Sequence, residues 1–578
     1  MIGTLAIWLY ITAVSFVLGW VGVRRLIART TGYYCDELVL MWVGGLMFTT
    51  VYAEYFSLIM KVGLCANIVL VGCCTVLVGI EYRSIKEYLQ KLWMQMKSRD
   101  RSRKIIYIIS LMIFGLLFIC VSAQKSHHAD TDLYHAQAIR WIEEYGVVKG
   151  LGNWHNRLAY NSSFMCLQAL FSGAFLLNQS THTVNGYIAF GMFAYVLYSL
   201  LFQEKGKLNC SFWFQIAMIV YICDAGTLSL LASPNTDTFA LLLVLFILIK
   251  WCEYHERHEQ NIVPYCLLCV IGLFAVSVKL SVAMIMILLV KPVIVLISER
   301  KYKIIFTFVI FGCLIIAPFL IRNVIISGYL LYPYTTIDLF TVDWKMAKSV
   351  VDFDRNEIMA YGRGLYDYSL SGLTMHEWFP VWWTQQAIWI KVLLVLNIIL
   401  WVGYCGVLIL DKRRKKSCDW DNILLFITVS VLIMFWFITA PLARYGKVFA
   451  FGIPCIVLGR LPDMHLNLLL RIGRCCVWCG SLLMLIYAVS IRVDEIMLKR
   501  PAYYIFRDCD EVQWNGINVY IPVEDVYCGY YYMPSLPYRQ TLDFIELRGQ
   551  DVKNGFKVKE EMRTVTFSNS GQIYEPVP

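Results

Sequence analysis

Charge is scarce in this sequence: Asp, Glu, Lys and Arg make up 16% of 578 residues, well under the roughly 25% of ordinary soluble domains. That deficit excludes a soluble globular chain, and the 59% of hydrophobic residues falls largely into long apolar runs. No internal repeat or low-complexity tract is evident, so the paired halves typical of secondary transporters are not seen. No basic residue precedes the first apolar run and "RR" follows it, which reads as a retained signal-anchor-like helix.

A membrane span needs about 20 mostly apolar residues to cross a hydrocarbon core of roughly 30 Å. Such runs fall near 2–23, 38–60, 62–80, 105–123, 187–203, 212–232, 238–252, 265–278, 281–298, 304–321, 388–410, 422–440, 446–460 and 474–491. The expected fold is an all-α polytopic membrane protein of about 14 spans. Lys and Arg collect on the cytoplasmic side. With the N-terminus outside, "RRLIAR", "KEYLQKLWMQMKSRDRSRK", "ERKYK" and "DKRRKK" all fall inside. The tail, 492–578, is then outside, and it carries 10 Lys and Arg against 13 Asp and Glu. The positive excess therefore belongs to membrane orientation, and no nucleic-acid partner is needed to explain it.

Three expected external segments are too long for turns: 124–186, 321–387 and the tail. In the tail, "GINVYIPV" and "VKEEMRTVTF" alternate and predict a few strands. Cys509 and Cys528 also lie there, where a disulfide is permitted. In the second segment Trp378, Trp382, Trp383 and Trp389 read as an interfacial anchor or as the border of a sugar or lipid site.

The first segment carries "SHHADTDLYHAQAIRWIEEYG". Tyr134, Ala138, Trp141, Ile142 and Tyr145 share one helical face, predicting a short amphipathic helix on the outer membrane surface. Asp132 stands where an N-cap is wanted, or else takes part in chemistry. Asp130 lies just past a span, where lost water would raise its pKa towards that of a general base. With His127, His128 and His135 these carboxylates also admit a divalent metal. Further along, Asp237, Lys279, Arg322, Arg444 and Lys447 stand at expected external helix ends. One such cation reads as snorkelling, but four together suit a phosphate headgroup. Asp224 and Glu54 fall inside apolar runs and are functional candidates for that reason.

An Asp shortly after an outward-going span, followed four residues on by Tyr134 and an amphipathic helix, resembles the first external loop of GT-C superfamily glycosyltransferases. "SPNTDTFALL", the "KLS" hairpin, "RNVIISGYLLYP" and "APLARYG" resemble recurrent pieces of such enzymes in the same order. More closely, "DTDLYHAQAIRWIEEYGVVKGLGNWHNRLAYNSS" and the later "LRGQDVKNGF" are similar to a bacterial family of uncharacterised polytopic membrane proteins. Many GT-C enzymes carry Asp-Glu where this chain has Asp-Thr-Asp, so the division of labour between Asp130 and Asp132 is open.

The resemblance implies a GT-C-like helical bundle: additional helices over 1–104, a catalytic core over 105–491 and an external C-terminal domain with some β over 492–578. It further implies a glycosyltransferase of the bacterial inner membrane with an extracytoplasmic active site. A polyprenyl-phosphate sugar donor would react with a glycan, lipid or protein acceptor, with inversion. Asp130 or Asp132 would act as base, and Arg322, Arg444, Lys279 and Lys447 would hold the donor phosphate. Tyr134, His135, His155, Arg157 and Asp237 would contact substrate. A polysaccharide polymerase or ligase, or a transporter or flippase of lipid-linked sugars, is the alternative.

Overall fold

Short polar side chains start several helices. Oxygens of Asp100, Asn209, Asp224 and Asn235 accept the free amides of Arg103, Phe212, Thr227 and Thr238, the role these residues fill best at a helix start. The computed structural model describes residues 1–202, 209–414, 419–460, 467–496, 503–562, 565–567 and 574–576. The described residues are mostly helical, and several of the helices could span a membrane.

Among the described residues nine helices are long and apolar enough to span: Ile2–Thr31, Leu38–Ile59, Leu64–Ser98, Arg101–Ser122, Val184–Phe202, Leu280–Ser298, Tyr302–Ser327, Ile388–Arg413 and Trp420–Thr439. Cys210–Cys223, Thr236–Glu256, Val263–Val278, Ala443–Leu458 and Asn467–Ser490 are helices too. They are not among these nine, and the expected count of 14 is not confirmed over the described residues. One reason is local: the apolar run through residue 232 breaks at Asp224, whose extended backbone caps the next short helix, Ala225–Leu230. Asp224 is therefore not inside a span, whereas Glu54 lies within Leu38–Ile59, five residues from its C-terminal end, fully buried.

Thr236–Glu256 is buried continuously from Asp237 to Tyr254, as expected of a helix apolar on all sides at the centre of a bundle. Its charged ends are paired, Asp237 with Lys279 and Lys250 with Glu253 and Glu37. The first two spans cross closely. A Cβ on Gly45 would sit 1.7 Å from the Ser15 carbonyl oxygen, and one on Gly19 1.8 Å from that of Met41; small residues permit this approach.

In the tail, β1 (Cys509–Trp514) and β2 (Ile517–Pro522) form an antiparallel hairpin. Asn515 and Gly516 supply the two positive φ angles, 49° and 79°, that its two-residue turn requires. β3 (Ile545–Leu547) pairs with β4 (Phe556–Val558), and β5 (Val565–Phe567) with β6 (Tyr574–Pro576). Cys509 and Cys528 are free thiols, so the permitted disulfide is not formed. Val519, Leu536, Ile545 and Phe556 share one hydrophobic core with Trp141, Val148 and Trp154. The amphipathic helix, Ala136–Tyr145, is consequently buried against the tail and does not lie open on a membrane surface. Trp378 and Trp382 are buried in a smaller core with Ala360 and Leu365, and the Trp382 indole donates to the Pro441 carbonyl. That packing replaces the interfacial-anchor role expected for them.

Candidate functional site

Four helix ends bring charge to one place. Asp130 opens the turn Thr131–His135 that leads into Ala136–Tyr145. Lys279 follows Val263–Val278, in extended backbone before the 3-10 segment Leu280–Leu289. Asp237 lies in the first turn of Thr236–Glu256, where a helix dipole favours an acid. Arg444 lies in the first turn of Ala443–Leu458, where the dipole disfavours a cation, so carboxylates must hold it.

They do. Arg444 Nη2 donates to Asp130 Oδ2 at 2.6 Å and to the Tyr445 hydroxyl at 3.0 Å. Its Nε is 3.7 Å from Asp237 Oδ2. Asp237 also pairs with Lys279, whose Nζ sits 4.1 Å from the Tyr445 ring centroid. Arg444 Nη1 donates to His128 Nε2. A guanidinium cannot accept, so Nε2 of His128 must, and the imidazole proton resides on Nδ1, 3.9 Å from Asp130 Oδ2. The cluster sets two carboxylates against the Arg444 guanidinium and the Lys279 amine, which burial and the nearby guanidinium push down to about 7. Side chains of Asp130, Arg444 and Lys279 are 24%, 22% and 23% exposed, so the cluster is mostly but not wholly enclosed.

Burial acts to raise the Asp130 carboxyl, but the Arg444 guanidinium overcomes it and holds the group down at about 2. This corrects the expectation of a desolvated, basic aspartate: in the resting state Asp130 is an ionised, paired carboxylate. Burial lowers His128 and brings His135 down to about 3, despite the nearby Asp130 in both cases, so both imidazoles are neutral.

Other expected site residues fall into separate groups. Lys447, one turn beyond Arg444, donates to Asp224 at 2.5 Å. Asp132 is not a helix cap. It turns away from Asp130 and accepts two bonds on Oδ2 from Arg507 of the tail, at 3.0 and 2.7 Å. The Asp130, Asp132 and histidine set therefore does not converge, and among the described residues no group of three His, Cys, Asp or Glu has metal-holding geometry. Tyr134 packs on His135 at 4.3 Å between ring centroids, within electrostatic reach of Asp130, Arg444 and Arg157. Arg157 pairs with Asp354 at 3.2 Å and with Glu357 at 2.5 Å. His155 beside it is buried and held neutral, down to about 3. Arg322 is apart from the Asp130 cluster: it is 3% exposed and donates to Asn161 at 3.0 Å and to Ser57 at 2.5 Å, close to Glu54.

Tyr445, Asp354 and Arg507 were not anticipated. Tyr445 stands next to Arg444 in "LARYG", but nothing marks its ring as a seat for cations. Arg507 is 375 residues from its partner, and no local pattern signals such a contact.

An open apolar groove of about 700 Å³ lies nearby, lined by Ile388, Trp389, Val392, Leu393, Leu396 and Phe451. Phe451 is on the Arg444 helix, two turns on, roughly 10 Å along its axis. The arrangement can thus offer cations to an anionic headgroup, with a carboxylate at the same point and an open apolar surface on the same helix. Residues 1–451 match the family model described as Domain of unknown function (DUF8201). Neither a curated protein nor a solved structure matches the chain.

Proposed function

We propose that this chain, which belongs to the DUF8201 family, transfers a sugar from a polyprenyl-phosphate-linked donor to an acceptor hydroxyl at the extracytoplasmic face of a bacterial inner membrane. The observation that carries this reading is the convergence of Asp130, Arg444, Lys279 and Asp237 from four distant parts of the chain. A snorkelling cation has no need of such partners, and a scaffold has no need of a partly exposed cluster of paired groups.

The donor phosphate competes with carboxylates for Arg444 and Lys279, with Lys447 one turn away. Once Arg444 turns to the phosphate, Asp130 loses its chief counter-ion and its basicity rises. The released carboxylate takes the proton from the acceptor hydroxyl as that oxygen attacks the anomeric carbon. The bond from that carbon to the phosphate oxygen breaks, and the phosphate leaves with its electron pair. A single displacement inverts the centre. Arg444 and Lys279 stabilise the charge growing on the leaving group, and the apolar groove beside Phe451 suits the polyprenyl chain.

The test is transfer of labelled sugar from a panel of polyprenyl-phosphate sugars by the protein in nanodiscs, compared with Asp130→Asn. Transfer by the native chain and its loss in the variant are expected. Transfer at equal rates in both would refute the role of Asp130.

A further inference from the structure

The turn that presents Asp130 also presents Asp132, and residues two apart on a helical turn do not share a face. Asp130 points to the bundle and Asp132 to the tail. The side chain of Asp132 is only 3% exposed. Its Oδ2 accepts both bonds from Arg507, and Oδ1 has no hydrogen-bond partner among the described residues. Asp525, 3.8 Å from Arg507, is the guanidinium's second acid.

The tail grips the same element along its length. The Gly529 amide donates to the Asp132 carbonyl at 2.8 Å. Gln137 donates to the carbonyls of Gly529 and Tyr532, and Arg140 to that of Tyr530. The Tyr530 hydroxyl donates to Glu143 at 2.6 Å. Most of these bonds use tail main chain. The Arg507 pair, like the Gly529 amide, acts at the Asp130 end of that element.

We propose that Arg507 is a positioning residue: by holding Asp132 it sets the rotation of the Thr131–His135 turn that aims Asp130 at Arg444, making the tail a wall of the site. This inference rests on the reading of the Asp130 cluster as a phosphate site. It extends the site beyond residues 1–451, the region shared with the family. Without Arg507 the turn must rotate to bring a buried carboxylate to water, or Asp132 must take up a proton, because burial already pushes its carboxyl up. A rotation carries Asp130 off Arg444.

The experiment is a double-mutant cycle between Arg507→Ala and Asp130→Asn, read as the affinity of polyprenyl phosphate for the full chain in nanodiscs. Asp130→Asn alone releases Arg444 and tightens binding. In the Arg507→Ala background Asp130 no longer occupies Arg444, so that gain shrinks by about threefold or more. Arg507→Lys restores part of it. Equal gains in both backgrounds would overturn the proposal, because a tail that merely stabilises the fold leaves the two effects independent.

Hydrogen exchange keeps the test separate from the functional reading. Arg507→Ala is expected to speed exchange in residues 131–145 and at the start of Ala443–Leu458. Faster exchange in the tail alone would overturn the positioning role. If the native chain binds no polyprenyl phosphate, the functional reading fails while the exchange result still decides the role of Arg507. Arg507→Gln, which removes the charge that holds Asp132 but keeps most of the side chain's bulk, serves if Arg507→Ala does not fold.

Discussion

Replacing Asp130 by Asn separates this account from a simpler one because it moves two observables in opposite directions. The Asp130 carboxyl is held at about 2, against 3.8 for an unperturbed aspartate. Nearly two pKa units correspond to about 2 kcal/mol of net preference for the charged form, supplied chiefly by Arg444 against the cost of burial. A phosphate that takes Arg444 must give that up. In the Asn variant it need not, so polyprenyl phosphate should bind more tightly, by up to about 30-fold if the whole term is recovered. Turnover should fall by about two to four orders of magnitude, the usual contribution of a positioned general base. Binding is measured by titration in nanodiscs and turnover by transfer of labelled sugar from the donor that the native chain accepts. Weaker binding together with near-native turnover would refute the reasoning. Acid supplies a second check. A depressed pKa contributes stability that is present above pH 4 and is lost as pH falls from about 4 to 2, and the Asn variant should lack that slope.

Arg444→Met should abolish polyprenyl phosphate binding, while Arg322→Met should leave the affinity within about twofold and destabilise the fold, since Ser57 and Asn161 lose a buried donor; equal losses of affinity would place the phosphate elsewhere. Burial raises Glu143 to about 7 despite hydroxyl donors that include Tyr530 and Ser180. The folded state therefore holds this proton more tightly than the unfolded one, and stability falls by about 3 kcal/mol as pH rises from 4.5 to 7, then levels off. Glu143→Gln should flatten that dependence in thermal unfolding between pH 5 and 8, and an unchanged slope would contradict it. Gly45→Ala should lower thermal stability by about 1 to 3 kcal/mol by pushing the first two spans apart; a native melting temperature would show that the close crossing is not needed.

Much of the helical architecture was legible in the sequence because apolar runs of spanning length have few other uses. The count was less so: a run such as 212–232 reads as continuous, and only hydrogen bonding shows that Asp224 ends one helix and caps another. The charged groups of the site were visible one by one, since a Lys or Arg beside an apolar run stands out. Their pairing was not visible. Arg322 and Arg444 look alike in sequence, yet one is enclosed with Asn161 and Ser57 and the other faces Asp130. The protonation state of Asp130 was misjudged for the same reason: proximity to a span suggests lost water, but the nearby guanidinium, some 314 residues away in sequence, outweighs it. Arg507 shows the limit most clearly, because a long-range pair between a loop and a tail leaves no periodicity to find.

The most direct measurement is a cryo-electron microscopy map of the chain with polyprenyl phosphate in nanodiscs. The account predicts the phosphate in contact with Arg444 and Lys279, the Asp130 carboxylate turned away from Arg444, and the chain running past Phe451. Phosphate density elsewhere, with the ion pair between Asp130 and Arg444 intact, would contradict it.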